Sequence, residues 1–181
     1  MASPRTVEVT SLPQSIEQFI ALRNQVAHTP EGGAAVFILA LLTYTLNEEL
    51  GRQCLVVAID REWLQEGSGG YRGQQLRLTD MRRIQTQLKN RSYLPRSYIR
   101  GALPENGYQL PVPPYTLQFV DNPYSGDHDS GTYKVFVVSS GATSPRPIRV
   151  RRNKQGVWKA YEWSSLIVGV REPVQDIRDE L

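Results

Sequence analysis

Apolar and polar positions follow two different periods along this chain, helical in the first half and alternating in the second. Thr6–Thr10 is a short β-like segment, closed by Ser11-Leu12-Pro13. Ser15 then caps a helix whose apolar positions Ile16, Phe19, Ile20 and Val26 recur near helical spacing. Thr29-Pro30-Glu31 starts the next helix, with threonine at the N-cap, proline in the first turn and a carboxylate facing the helix dipole. The run behind it, Ala34 to Leu42, is apolar all the way round, so this helix has to be enclosed by the rest of the fold. Asn47-Glu48-Glu49 repeats the capping logic and opens a segment through Cys54, while Leu55–Ile59 fits either a helix end or a buried strand. Gly67-Ser68-Gly69-Gly70 with Gly73 reads as a flexible loop. Thr79 or Asp80 then caps a helix with Met81, Ile84 and Leu88 inward and Arg82, Arg83 and Lys89 outward.

From Leu94 the character changes. Pro95, Pro104, Pro111, Pro113 and Pro114 punctuate an extended stretch that no long helix tolerates. Four strand signals follow: Tyr115–Phe119, Tyr133–Val138, Ile148–Arg151 and Val157–Trp163. Asn153-Lys154-Gln155-Gly156 reads as the turn of a hairpin joining the last two. The expected fold is α+β, with N-terminal helices, one of them fully buried, packed on a C-terminal antiparallel sheet. Residues 1–181 are expected to form one domain: a mainly helical part (1–92), a Pro-rich seam (93–114), antiparallel strands (115–171) and a tail (172–181).

Composition narrows the function. Apolar residues are 40% and charged residues 22% of the chain, which argues against disorder and against a membrane protein. Nine residues, Ala34–Leu42, form the most apolar run, short of the roughly 20 that span a bilayer. The N-terminal Met1–Glu8 lacks a secretory apolar region, and Arg178-Asp179-Glu180-Leu181 resembles a retention tail with no secretory route to serve. A cytoplasmic location and no membrane partner are expected. The single cysteine, Cys54, and the two histidines, His28 and His128, exclude a disulfide framework and most thiolate or histidine metal centres, and no cofactor is expected.

The net charge is only +3, but its distribution is uneven. Residues 72–100 hold eight basic side chains against Asp80 alone, and residues 146–159 hold six with no acid. With a turn at 153–156, Arg151 would face Trp158 and Arg149 would face Ala160, placing guanidinium groups beside an indole. The candidate binding residues are therefore Arg146, Arg149, Arg151, Trp158 and Tyr161. A solvated face whose rings are covered by arginine stems explains the same pattern. Asp121, Asp127, His128 and Asp129 cluster in a loop rich in turn residues; Asp127 and Asp129 are the weak metal candidates, without the spacing of a calcium loop. A hydrolase would need His128 beside Ser139, Ser140, Ser164 or Ser165, oriented by Asp127 or Asp129, and no nucleophile-elbow motif supports it. Cys54, followed by five apolar residues, reads as a buried inert thiol.

Several stretches together resemble a bacterial family of domains of unknown function. They are Thr29-Pro30-Glu31-Gly32, Tyr93-Leu94-Pro95-Arg96-Ser97-Tyr98, Pro104-Glu105-Asn106-Gly107-Tyr108-Gln109-Leu110-Pro111, Ser139-Ser140-Gly141, Ser144-Pro145-Arg146-Pro147 and residues 156–166. The resemblance implies a bacterial, intact single domain and transfers no activity and no catalytic residue. The functional expectation is a small binding domain that engages a protein partner. Nucleic-acid or anion binding through the Arg-rich hairpin is the alternative, and a hydrolase using the 121–131 loop the second one.

Overall fold

The computed structural model describes residues 5–175. Met1–Pro4 and the Arg178–Leu181 tail, on which the targeting expectations rest, lie outside the described residues. The architecture is α+β. Strand β1 (Arg5–Val9) comes first, followed by helices α1 (Ile16–Val26), α2 (Pro30–Leu46) and α3 (Glu48–Ala58). Strands β2 (Leu64–Tyr71) and β3 (Gln74–Leu76) and helix α4 (Leu78–Leu88) complete the first half. The second half supplies β4 (Tyr115–Val120), β5 (Thr132–Val137), β6 (Arg146–Arg152) and β7 (Trp158–Glu162). Five strands form one antiparallel sheet in the order β1-β4-β5-β6-β7, and β2-β3 is a separate hairpin.

The buried helix is α2. Ser15, Thr29 and Asn47 each accept a backbone N–H from the first turn of α1, α2 and α3, so three helix starts are held by the side chains that the capping pattern picks out. Every residue of α2 from Pro30 to Tyr44 is buried, because α1 and α3 cover one side and β1, β5, β6 and β7 the other. Core-facing positions alternate along the sheet: Leu117 and Phe119, Tyr133, Val135 and Val137, Ile148 and Val150, Trp158 and Ala160. No helix among the described residues is long and apolar enough to cross a membrane.

Four local expectations are corrected or settled. The glycine-rich segment is not a loop but the β2-β3 hairpin, turning at Arg72-Gly73, where Gly73 has φ of +76°. Its glycines leave room for the Gln75 side chain, whose Oε1 accepts the Gly69 N–H at 2.9 Å. Leu55–Ala58 is helical, and the chain then straightens so that Ile59 bridges Ala160 in parallel. Helix α4 begins at Leu78, two or three residues earlier than a Thr79 or Asp80 cap would place it, and the Asp80 carboxylate takes the Arg77 guanidinium at 2.9 Å. The Pro-rich seam is not simply extended: it folds into 3-10 turns at Pro95–Tyr98 and Pro104–Asn106. Two fully buried rings anchor it, Tyr98 donating to the Leu166 carbonyl (2.7 Å) and Tyr108 to the Arg171 carbonyl (2.5 Å).

Candidate functional site

The hairpin β6-β7 carries most of the candidate residues, and its register decides which of them meet. Asn153 Oδ1 accepts the N–H groups of Gln155 and Val157, and the Asn153 N–H donates to the Val157 carbonyl. The connection therefore closes one residue later than a 153–156 turn would. Arg152 faces Trp158 and Arg151 faces Lys159; a bulge then sets Arg149 against Glu162. A one-residue slip changes the face of every side chain. Trp158 consequently points into the core, 3% exposed, and does not share the outer face with Arg151.

The outer face instead collects Arg151, Lys159 and Tyr161. Arg151 lies over the Tyr161 ring, its Cζ 3.7 Å from the centroid, in the diagonal relation that a right-twisted pair of strands allows. The end of α3 delivers the groups that complete the arrangement. Asp60 N–H donates to the Ala160 carbonyl at 2.9 Å, and Asp60 Oδ1 accepts the Glu62 N–H, starting a 3-10 turn at Arg61–Trp63. That turn aims Glu62 at Arg151, with Nη1 to Oε2 2.7 Å, while Asp60 Oδ1 lies 3.4 Å from the same nitrogen. The hydrogen bond from Arg151 holds the Glu62 carboxyl below the usual carboxylate range. Trp63 then packs on Tyr161 (5.5 Å between centroids), and Arg77 covers Trp63 at 4.2 Å. The result is a ladder of Arg77, Trp63, Tyr161 and Arg151.

Beside this ladder, between the end of α3 and the hairpin, lies a cleft of about 670 Å³. Its cationic lining is Arg61, Arg151, Arg152, Lys154 and Lys159, and Asp60 and Glu62 are its acids. Both acids are engaged by Arg151, and among the described residues Arg61, Arg152 and Lys154 form no ion pair. Lys159 donates to the Val57 carbonyl in the last turn of α3. Burial pushes its amine down to about 8, with Arg23 adding to the effect and Asp60 opposing it.

The remaining candidates lie outside this cleft. Arg146 donates to the carbonyls of Val168 (2.8 Å) and Gly169 (2.6 Å), tying β6 to the chain that follows β7. Arg149 approaches Glu162 at 3.4 Å near the sheet surface. Asp127 Oδ1 accepts the Asp129 N–H in an exposed turn, and no group of three or more metal-binding side chains is assembled among the described residues. The hydrolase constellation is not brought together. His128 rests edge-on against Tyr133, 4.2 Å between centroids. Ser139 bonds Ser97 Oγ, Ser140 bonds the Ala102 carbonyl, and Ser164 and Ser165 head the turn Ser164–Ile167. Cys54 is buried, and burial pushes its thiol up to about 12.

Asp60, Arg61, Glu62 and Trp63 were missed by reading the sequence. Nothing local marks them, since their partners Arg151 and Tyr161 lie some ninety positions further on. A family model described as a domain of unknown function, DUF6935, matches residues 11–174. The chain belongs to that family. The DUF6935 match spans both the helical part and the sheet, so it includes every residue of the cleft and the ladder. No curated protein and no solved structure matches the chain.

Proposed function

We propose that this chain is a binding domain that engages an acidic segment of a protein partner in the cleft between the end of α3 and the β6-β7 hairpin. The observation that carries the reading is the set of Arg61, Arg152 and Lys154, three cations at one cleft without an ion pair among the described residues. An acidic side chain docking there would exchange water for charge-assisted hydrogen bonds on a scaffold already held in place by the ladder. Arginine and aromatic side chains are also the usual anchors of interfaces. A bacterial cytoplasmic setting belongs to the same proposal, the bacterial part supported by the resemblance.

Nucleic acid is the weaker reading for a specific reason. Base stacking needs free ring faces, but Tyr161 is covered by Arg151 and Trp63 by Arg77.

The test is fluorescence anisotropy of a labelled Asp/Glu-rich peptide, run beside labelled single-stranded RNA, at about 50 and about 300 mM salt. We expect the peptide to bind, and the triple variant Arg61→Ala, Arg152→Ala, Lys154→Ala to bind at least about tenfold more weakly. RNA binding that the triple variant loses, with no peptide binding, would replace this reading by the nucleic-acid one.

A further inference from the structure

We propose that Lys159 is a covalent capture site, holding a small anionic aldehyde in the cleft as an imine. The proposal shares the cleft with the acidic-partner reading but does not depend on it. Three observations meet at this residue. Lys159 lines the cleft from the outer face of β7, directly opposite Arg151. Its amine makes one hydrogen bond among the described residues, to the Val57 carbonyl, so a single contact has to be released before the nitrogen can react. Arg61, Arg152 and Lys154 line the same cleft and supply the positive charge that would hold a carboxylate or phosphate on the incoming molecule.

The ordinary alternative is that Lys159 merely caps the C-terminal end of α3, where a cation is favoured by the helix dipole. A pure cap is best served by a fully charged, solvated ammonium. Here burial and the Arg23 charge disfavour the ammonium form, with Asp60 alone opposing them. These are the conditions under which a lysine becomes a nucleophile near neutral pH. The neutral nitrogen adds to the carbonyl carbon, forming a C–N bond while the carbonyl electron pair moves to oxygen. Both nitrogen hydrogens leave with that oxygen as water when the C–O bond breaks. Amine plus aldehyde gives imine plus water, and no electrons are exchanged with a third species.

The chain has four lysines, Lys89, Lys134, Lys154 and Lys159, so the other three are internal controls. The full chain would be incubated at neutral pH with limiting pyridoxal 5′-phosphate, trapped with cyanoborohydride and mapped by peptide mass spectrometry. An amine titrating near 8 has on the order of a hundredfold more neutral form at pH 7 than an ordinary lysine. Allowing for burial, we expect at least about tenfold more label on Lys159 than on any other lysine, and competition by inorganic phosphate. Lys159→Arg, which keeps a cation at this position, should fold with an unchanged circular-dichroism spectrum and lose that label. Label spread evenly over the four lysines, or concentrated on Lys154, would overturn the proposal. Peptide binding in the earlier experiment is unaffected by either result, so the two readings fail separately.

Discussion

Lys159 carries a pH signature that can be read without any ligand. In the unfolded chain its amine keeps a proton up to the ordinary value of 10.5, whereas in the fold it gives the proton up at about 8. Between these values the unfolded state binds more protons, so raising the pH through 8 to 10.5 stabilises the fold, and the benefit is absent below 8. The slope is at most about 1.4 kcal/mol per pH unit. Lys159→Met has no such group, so wild-type stability measured by urea unfolding should rise relative to this variant across that window. A constant difference would mean that the amine titrates alike in both states. Comparison with the variant also removes the opposing contribution of Tyr98, whose hydroxyl burial pushes up to about 12 and which weakens the fold at alkaline pH. Cys54 makes a second prediction at this scale. Its thiol, buried and pushed up to about 12, should resist a thiol-reactive disulfide reagent in the native chain and react at once in denaturant. Reaction in the native chain at the denatured rate would show that the site opens.

Helix α2 packs against its neighbours through close backbone approaches at glycines. A Cβ on Gly33 would lie 2.6 Å from the Trp158 carbonyl oxygen, and one on Gly51 of α3 would overlap the Tyr44 backbone. Alanine in a helix interior ordinarily stabilises relative to glycine by up to about 1 kcal/mol. Here the sign should reverse: Gly33→Ala and Gly51→Ala are each expected to lose about 1–3 kcal/mol by overpacking, seen as lower urea midpoints. Unchanged or higher midpoints would show that these elements can move apart. The elements themselves were legible because their causes are local. Ser15, Thr29-Pro30-Glu31 and Asn47 mark helix starts by what each side chain can bond, and alternation marks β4 to β7. The hairpin register was not legible, because it depends on whether Asn153 closes a four- or five-residue connection, and one residue decides whether Trp158 faces the core or the arginines. The β2-β3 hairpin was hidden for a similar reason: its glycines accommodate the side chain of Gln75, a pairing that composition alone reads as flexibility. The cleft was half visible. Arg151 and Tyr161 stand out in the basic hairpin, but their partners come from the end of α3, which the Ile59–Ala160 bridge sets beside β7.

At the scale of the whole molecule, the fold depends on joining its first strand to everything else. β1 precedes all the helices yet pairs with β4, and Arg5 at its start reaches Glu31 in the first turn of α2 (2.8 Å) and approaches Asp121 beyond the end of β4 (3.7 Å). Asp121 also accepts the Tyr133 hydroxyl at 2.8 Å, so one guanidinium links strand, buried helix and sheet. The two partners differ in burial: the Glu31 side chain is 7% exposed and that of Arg5 is 51% exposed. Removing Arg5 leaves a buried carboxylate with only the helix dipole to offset its lost hydration, whereas removing the Glu31 charge leaves a cation half in water. Arg5→Ala should therefore cost more than Glu31→Gln, about 1–2 kcal/mol after allowing for the solvent around Arg5. The double variant should be no less stable than Arg5→Ala alone, since the stranded charge is then gone. A double-mutant cycle on urea-unfolding free energies reads this coupling directly. Additive losses would mean that β1 is held by its ladder with β4 and that the ion pair contributes nothing to closing the sheet.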